Sequence, residues 1–185
     1  MELLLVLLWR FWFRRNRAVH SVPLLVRCGL VVERWQAPSP RWVKINSDVV
    51  VDVQGHRLGF GVVFRDFAGK VLVSYTSLLL GLFSSDIGEA LAILLGLRLA
   101  IDMGLSSVCV ESDAASIVKQ LSSRASSCSD IGLVLDDILY LAVDFSGLSF
   151  SSVCRCANKV AHSFANNTCN LDPNESFENA KDGDR

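Results

Sequence analysis

The sequence predicts an α/β domain: one mixed, five-stranded sheet with helices on both faces. Three observations predict it. Three strand-like runs follow one another between residues 42 and 76, separated by turn residues. A strongly apolar stretch of helical length, residues 86–103, comes next. Strand-like and helix-like segments then alternate as far as residue 166. Hairpin strands followed by such alternation suit a sheet that is antiparallel on one side and parallel on the other.

Each element has a local reason. Residues 34–41 (RWQAPSPR) hold two prolines and read as a linker entering the domain. In residues 42–51 (WVKINSDVVV), Val43, Ile45, Ser47 and Val49 fall on one face and Lys44, Asn46 and Asp48 on the other, the period of a strand. Residues 58–65 (LGFGVVFR) form a second, glycine-studded strand. Residues 66–70 (DFAGK) turn about Gly69, and residues 71–76 (VLVSYT) complete an antiparallel meander. Residues 86–103 (DIGEALAILLGLRLAIDM) are apolar nearly all the way round, so this helix is buried on most sides, and Gly104 stops it. A strand at 108–113 follows, then a helix at 114–121 with Ile117, Val118 and Leu121 on one face. A serine-rich loop (122–129), an amphipathic helix (131–143), a fifth strand (148–155) and a last helix (157–166) complete the domain. The tail beyond Asn170 is polar, acidic and aperiodic, and is expected to be disordered. The chain thus divides into an apolar and basic lead-in (1–34), a domain (35–169) and an acidic tail (170–185).

Composition excludes several classes. With 51% hydrophobic residues, a mean hydropathy of +0.38 and a net charge of −1, the 185-residue chain is not disordered throughout. No uncharged apolar run reaches the roughly 18–20 residues a membrane span needs. The small net charge hides an asymmetry. Residues 1–50 carry eight Lys/Arg and three acids, a balance of +5, and the remainder ten and sixteen, a balance of −6. Such asymmetry fits a nucleic-acid or membrane contact, or a solvated basic linker. The first residues (MELLLVLLWRFWFRRNR) are not a secretory signal, because Glu2 precedes the apolar core and the basic cluster follows it. They read as an apolar helix that packs on something upstream, with a membrane-surface helix as the alternative. The six cysteines (Cys28, Cys109, Cys128, Cys154, Cys156, Cys169) form no C-x-x-C and have no histidine at zinc-finger spacing. They read as reduced thiols of an intracellular, non-secreted protein, in the nucleus or cytoplasm.

Three carboxylates fall where an α/β sheet builds its site: Asp48 at the end of the first strand, Glu89 in the first turn of the buried helix, Asp113 at the end of the fourth strand. Each also has a bland explanation. Asp48 suits a turn after a strand. Asp86 and Glu89 suit a capping box, and Asp113 suits an N-cap. Together they repel unless they hold a cation, and oxygen ligands on a hard divalent ion are what metal-assisted phosphoryl chemistry requires.

The ordered motifs WVKINSD, GFGVVFRDFAGKVL, GEALAILLGLRLAIDMG, VCVESDAASIVKQL and RCANKVAHSFA resemble the ribonuclease H-like domains related to reverse transcriptases. More narrowly they are similar to the plant branch associated with non-LTR retrotransposons. The resemblance covers about residues 35–166, and the N-terminal LLWRFWFRRNR resembles the segment preceding such domains, which implies a longer ancestral frame. It implies a five-stranded mixed sheet and two-metal hydrolysis of the RNA strand of an RNA–DNA hybrid, with Mg²⁺ or alternatively Mn²⁺. By position, Asp48, Glu89 and Asp113 match the first three acidic metal ligands, and His162 stands at the fourth acidic position, four residues after Asn158. Three departures from the pattern are Val49 for glycine, Gly88 for alanine and His162 for aspartate. Imidazole suits Mn²⁺ or Zn²⁺ better than Mg²⁺ and can also shuttle protons. Lys44, Asn46, Arg155, Asn158 and Lys159 are the expected nucleic-acid contacts near the site, with Arg10–Arg17 and Arg41 adding basic charge. No basic extension accompanies the helix at 131–143, so hybrid affinity should be modest and salt-sensitive. A monomer is expected. The alternatives are a nucleic-acid-binding module without turnover, a decayed retrotransposon fragment, and a membrane-surface protein.

Overall fold

A computed structural model describes residues 25–27, 34–123 and 129–170. In chain order the elements are β1 (Leu25–Arg27), β2 (Val43–Asp52), β3 (Arg57–Arg65), β4 (Val71–Leu80), α1 (Ser85–Asp102), β5 (Ser107–Ser112), α2 (Ala115–Ser123), α3 (Asp130–Leu141) with a 3₁₀ turn (Ala142–Asp144), β6 (Gly147–Ser152) and α4 (Lys159–Cys169). The sheet order is β1-β6-β5-β2-β3-β4. β2, β3 and β4 pair antiparallel, whereas β5 pairs parallel to both β2 and β6. The five expected strands and the mixed sheet are present. β1 is an addition, a three-residue strand parallel to β6 (Leu25↔Ser149) within the segment read as a lead-in. Three residues are too few to show a period, and the outer edge of β6 supplied the unpaired backbone groups that recruit them. The apolar Leu3–Phe13 stretch, the Arg10–Arg17 cluster, Cys28, Cys128 and the acidic tail lie outside the described residues.

β2 is covered on both faces, which is why a polar strand is buried. On one face Ile45 and Val49 meet α1: a Cβ added at Gly96 would lie 3.0 Å from Ile45, and one at Gly88 3.1 Å from Val49. Phe64, Ile93, Leu97, Ile117, Leu121, Ile138, Leu148 and Phe150 complete a fully buried core. Enclosure of α1 between this sheet face and α3 explains its apolar circumference.

On the other face α4 lies directly on β3. A Cβ at Gly61 would come within 2.2 Å of the Ala161 carbonyl oxygen, and one at Gly59 within 2.4 Å of the Ala165 carbonyl oxygen. Two glycines, spaced by the strand period, therefore make the seat for this helix. The glycine studding noticed in the sequence has its physical reason here.

The turns follow their residues. The Asp66 carboxylate accepts from the Ala68 and Lys70 amides, and Gly69 takes a φ of 81°. Gly104 ends α1 at a φ of 70°. The N-terminus of α1 differs from expectation. Ser84 is the cap, its hydroxyl accepting from the Ile87 amide at 3.3 Å. Glu89 lies beyond the first turn, so no capping box with Asp86 occupies it.

The cysteine reading is corrected for one pair. Cys154 and Cys156 are disulfide-bonded, with Cα atoms 5.3 Å apart. The turn closed by Ala157 N–H on the Cys154 carbonyl brings residues two apart within bridging distance. Cys109 and Cys169 are free thiols. No helix of the described residues is long and apolar enough to cross a membrane.

Candidate metal centre

Parallel pairing of β2 with β5 runs from Val43↔Val108 to Asn46↔Glu111 and goes no further. Asp48 stands two residues beyond that point, and Asp113 follows immediately on the end of β5. Both acids therefore lie where two neighbouring strands part, the crevice at which α/β sheets place ligands. Asp48 is not a turn residue after a strand. It is internal to β2, paired with Gly61 across the ladder and 0% exposed. Its Oδ1 accepts the Val49 amide at 2.9 Å, and its Oδ2 lies 2.7 Å from His162 Nδ1.

Asp113 is likewise free of the capping role. The Ser112 hydroxyl accepts the Ala114 amide at 3.1 Å. The Asp113 carboxylate turns instead to Asn158 Nδ2 at 3.3 Å and Arg155 Nε at 3.5 Å. Glu89 reaches the same place from α1, and the Ser112 hydroxyl donates to its Oε2 at 3.5 Å. One ligand atom from each of Asp48, Glu89 and Asp113 lies within 4.8 Å of the others.

Three carboxylates this close perturb one another. Burial, then the charges of Asp48 and Asp113, push Glu89 up to about 9. Burial and the charge of Asp113 also raise Asp48, against the lowering effect of its His162 and Val49 hydrogen bonds. Without a cation the cluster retains a proton at neutral pH. Beside it, Asn158 donates its amide hydrogens to the Ser47 carbonyl at 2.9 Å and to Asp113, while its buried Oδ1 finds no hydrogen-bond partner among the described residues. Carboxylate and amide oxygens without enough donors suit a hard divalent cation.

The remaining expected site residues divide. Arg155 is exposed beside Asp113, its side chain 69% accessible, and Lys159 is exposed at the first position of α4. Lys44, Asn46 and Asn158 are buried, at 7%, 1% and 1% exposure. Lys44 pairs with Glu111 and donates to the Gln36 carbonyl at 2.6 Å. Asn46 donates to Glu111 at 3.0 Å and accepts from Trp35 Nε1 at 2.9 Å, and the Arg65 guanidinium lies 4.8 Å from the Trp35 ring. Lys44 and Asn46 thus belong to a second buried polar cluster, in which the linker indole covers the face of β2 next to the metal centre. Sequence reasoning missed Glu111 and Ser112. The register of β5 on β2 is what places them, although the Lys44–Asn46–Asp48 alternation did mark a polar sheet face.

Two departures from the family pattern touch each other. A Cβ at Gly88 would meet Val49 Cγ1 at 3.1 Å and Leu58 Cδ2 at 2.8 Å. The glycine before Glu89 is what lets α1 close over a valine after Asp48.

Solved structures share this fold. The RNase H1 of the halophilic archaeon Halobacterium salinarum aligns with a TM-score of 0.64 at 20% identity, over 69% of this chain and 97% of that one. The N-terminal RNase H domain of a Mycobacterium tuberculosis protein aligns at 0.62 and 23%, over 69% and 98%. LC11-RNase H1, isolated from compost and solved in complex with an RNA/DNA hybrid, aligns at 0.57 and 17%, over 69% and 99%. No curated protein matches the chain. The family described as reverse transcriptase-like matches residues 46–168, from the buried asparagine of β2 to the last turn of α4. With an RNase H-like sheet, its three acids gathered at the strand ends and this match across most of the domain, the chain belongs to the reverse transcriptase-like family.

Proposed function

We propose that this protein is a divalent-metal endoribonuclease that hydrolyses the RNA strand of RNA–DNA hybrids. The observation that carries the reading is the convergence of Asp48, Glu89 and Asp113, from three separate elements, on ligand atoms within 4.8 Å of one another. These residues would hold Mg²⁺, or Mn²⁺, as two ions. Bound there, the metal supplies a Lewis acid for phosphate oxygens and an activated water. Arg155, exposed beside Asp113, and Lys159, exposed at the start of α4, meet the phosphate backbone, and the sparse basic charge makes binding salt-sensitive. LC11-RNase H1, which shares the fold, is solved with an RNA/DNA hybrid, and this supports the choice of substrate. The motif string supports placement in the plant, non-LTR-retrotransposon-related branch, with the sheet domain acting as a monomer in the nucleus or cytoplasm.

The test is cleavage of a labelled hybrid with Mg²⁺ or Mn²⁺. Wild type should cut the RNA strand internally, and Asp48→Asn and Asp113→Asn should not. Absence of metal-dependent cleavage by the wild type sinks the reading. A second reading, a hybrid-binding module without turnover, draws on His162 at the fourth acidic position. It predicts salt-dependent hybrid binding that Asp48→Asn leaves unchanged.

A further inference from the structure

α4 presents two side chains to the carboxylates, one helical turn apart. Asn158, at the head of the helix, grips Asp113 Oδ1 at 3.3 Å and the Ser47 carbonyl at 2.9 Å. His162, four residues on, meets Asp48 Oδ2 at 2.7 Å. Asp48 and Asp113 come from different strands and repel each other, so neither has an intrinsic reason to stay at the spacing a cation needs. One helix fixes both. Its height over the sheet is set by Gly59 and Gly61, where backbone meets backbone. The cap residue and the residue four positions on share a face, so one helix seated at this height reaches both carboxylates.

His162 stands apart from the ligand set itself. Among the described residues, the group of side chains whose ligand atoms lie mutually within 4.8 Å contains Asp48, Glu89 and Asp113 but not His162. Its imidazole faces one oxygen of one carboxylate. The other oxygen of that carboxylate is already oriented by the Val49 amide.

We infer that α4 is a positioning helix for the metal centre. Asn158 and His162 hold Asp113 and Asp48 at ligand spacing, with His162 donating its Nδ1–H to Asp48 and taking no place on the metal. The inference rests on the proposed reading of the three carboxylates as the metal ligands. It predicts that the residue at 162 matters as a hydrogen-bond donor and not as a source of metal-coordinating nitrogen.

Mn²⁺ tests it without reference to turnover. The full-length wild-type protein is loaded with substoichiometric Mn²⁺, and pulsed EPR should show no directly coordinated ¹⁴N. Titration calorimetry then compares variants. His162→Asn places an amide donor close to where Nδ1 stands and should keep Mn²⁺ affinity within about threefold of wild type. His162→Phe and Asn158→Ala remove the donors and should weaken it about 10- to 100-fold, as loss of a partner to a metal ligand does. Thermal melts of the metal-free proteins identify any variant that fails to fold; the wild-type EPR spectrum and His162→Asn then decide between them. A coordinated nitrogen in the wild-type spectrum overturns the inference while leaving the metal centre intact. So does His162→Phe binding as tightly as wild type, or His162→Asn losing as much as His162→Phe. Failure of the wild type to bind Mn²⁺ at all overturns the metal-centre reading itself and the inference with it.

Discussion

Gly61→Ala is the sharpest single perturbation of this architecture. The added methyl would lie 2.2 Å from the Ala161 carbonyl oxygen, 2.6 Å from the Ala165 amide nitrogen and 3.0 Å from Phe164 Cβ. All three atoms belong to α4, and two are backbone, so no side chain can turn aside to make room. Restoring ordinary contact requires the helix to rise by about 1 Å. His162 then leaves Asp48: a 2.7 Å contact lengthened by about 1 Å lies outside hydrogen-bond range. Overpacking of this kind costs about 1–3 kcal/mol, which lowers Tm by roughly 3–15 °C in a domain of this size. The assay is a thermal melt of the metal-free protein beside Mn²⁺ titration calorimetry. Gly61→Ala should lower both Tm and Mn²⁺ affinity, the latter about tenfold. Gly104→Ala is the control. It forces an alanine into a φ of 70° with nothing within 4 Å, so it should cost about 1–2 kcal/mol and leave Mn²⁺ affinity alone. Wild-type Mn²⁺ affinity in Gly61→Ala would refute the reasoning, because α4 would then not be set by its glycine seat.

Three further outcomes follow from the same geometry. In EDTA the protein should lose stability as pH rises: Glu89 keeps its proton up to about 9 when folded but releases it near 4.5 when unfolded, so its contribution is complete below 4.5 and gone above 9. Mg²⁺ should restore Tm most at the alkaline end, and Glu89→Gln should flatten the EDTA profile. Gly88→Ala should destabilise by about 1–3 kcal/mol through Val49 and Leu58, and Val49→Ala should relieve part of that loss; urea melts of the cycle should show coupling above about 0.5 kcal/mol, and strict additivity would mean that the two do not touch. Lys44→Met leaves Glu111 buried without its cation and should cost about 3–5 kcal/mol in chemical denaturation, while hybrid affinity of the folded fraction stays unchanged, because Lys44 is only 7% exposed.

Much of this molecule could be read along the chain. The alternation through Val43, Ile45 and Val49, the Asp66–Gly69 turn and the apolar run of α1 are local patterns, and local patterns encode secondary structure. The three acids stood out for a related reason, since each was expected near a boundary between elements, although Asp48 proves internal to β2 and Glu89 lies past the first turn of α1. Other features turn on partners distant in sequence. The bland alternative for Asp48 was a turn after a strand, yet β3 continues the ladder beyond it as far as Asp52↔Arg57. Asp86 and Glu89 have capping-box spacing, but Ser84 captured the cap and left Glu89 for the centre. Lys44 and Asn46 have the chemistry of nucleic-acid contacts; Glu111, 67 and 65 residues away, takes both inward.

By itself, then, the sequence determined the element order from β2 onward, the mixed sheet and the candidate acids, because burial periodicity and residue chemistry are properties of short segments. Only the tertiary structure decided which polar groups serve the centre. That choice is made by the register of β5 on β2, which ends the parallel pairing before Asp48, and by the close seat of α4 on Gly59 and Gly61. Both are contacts between segments far apart in the chain, whose positions are fixed only once the core has closed.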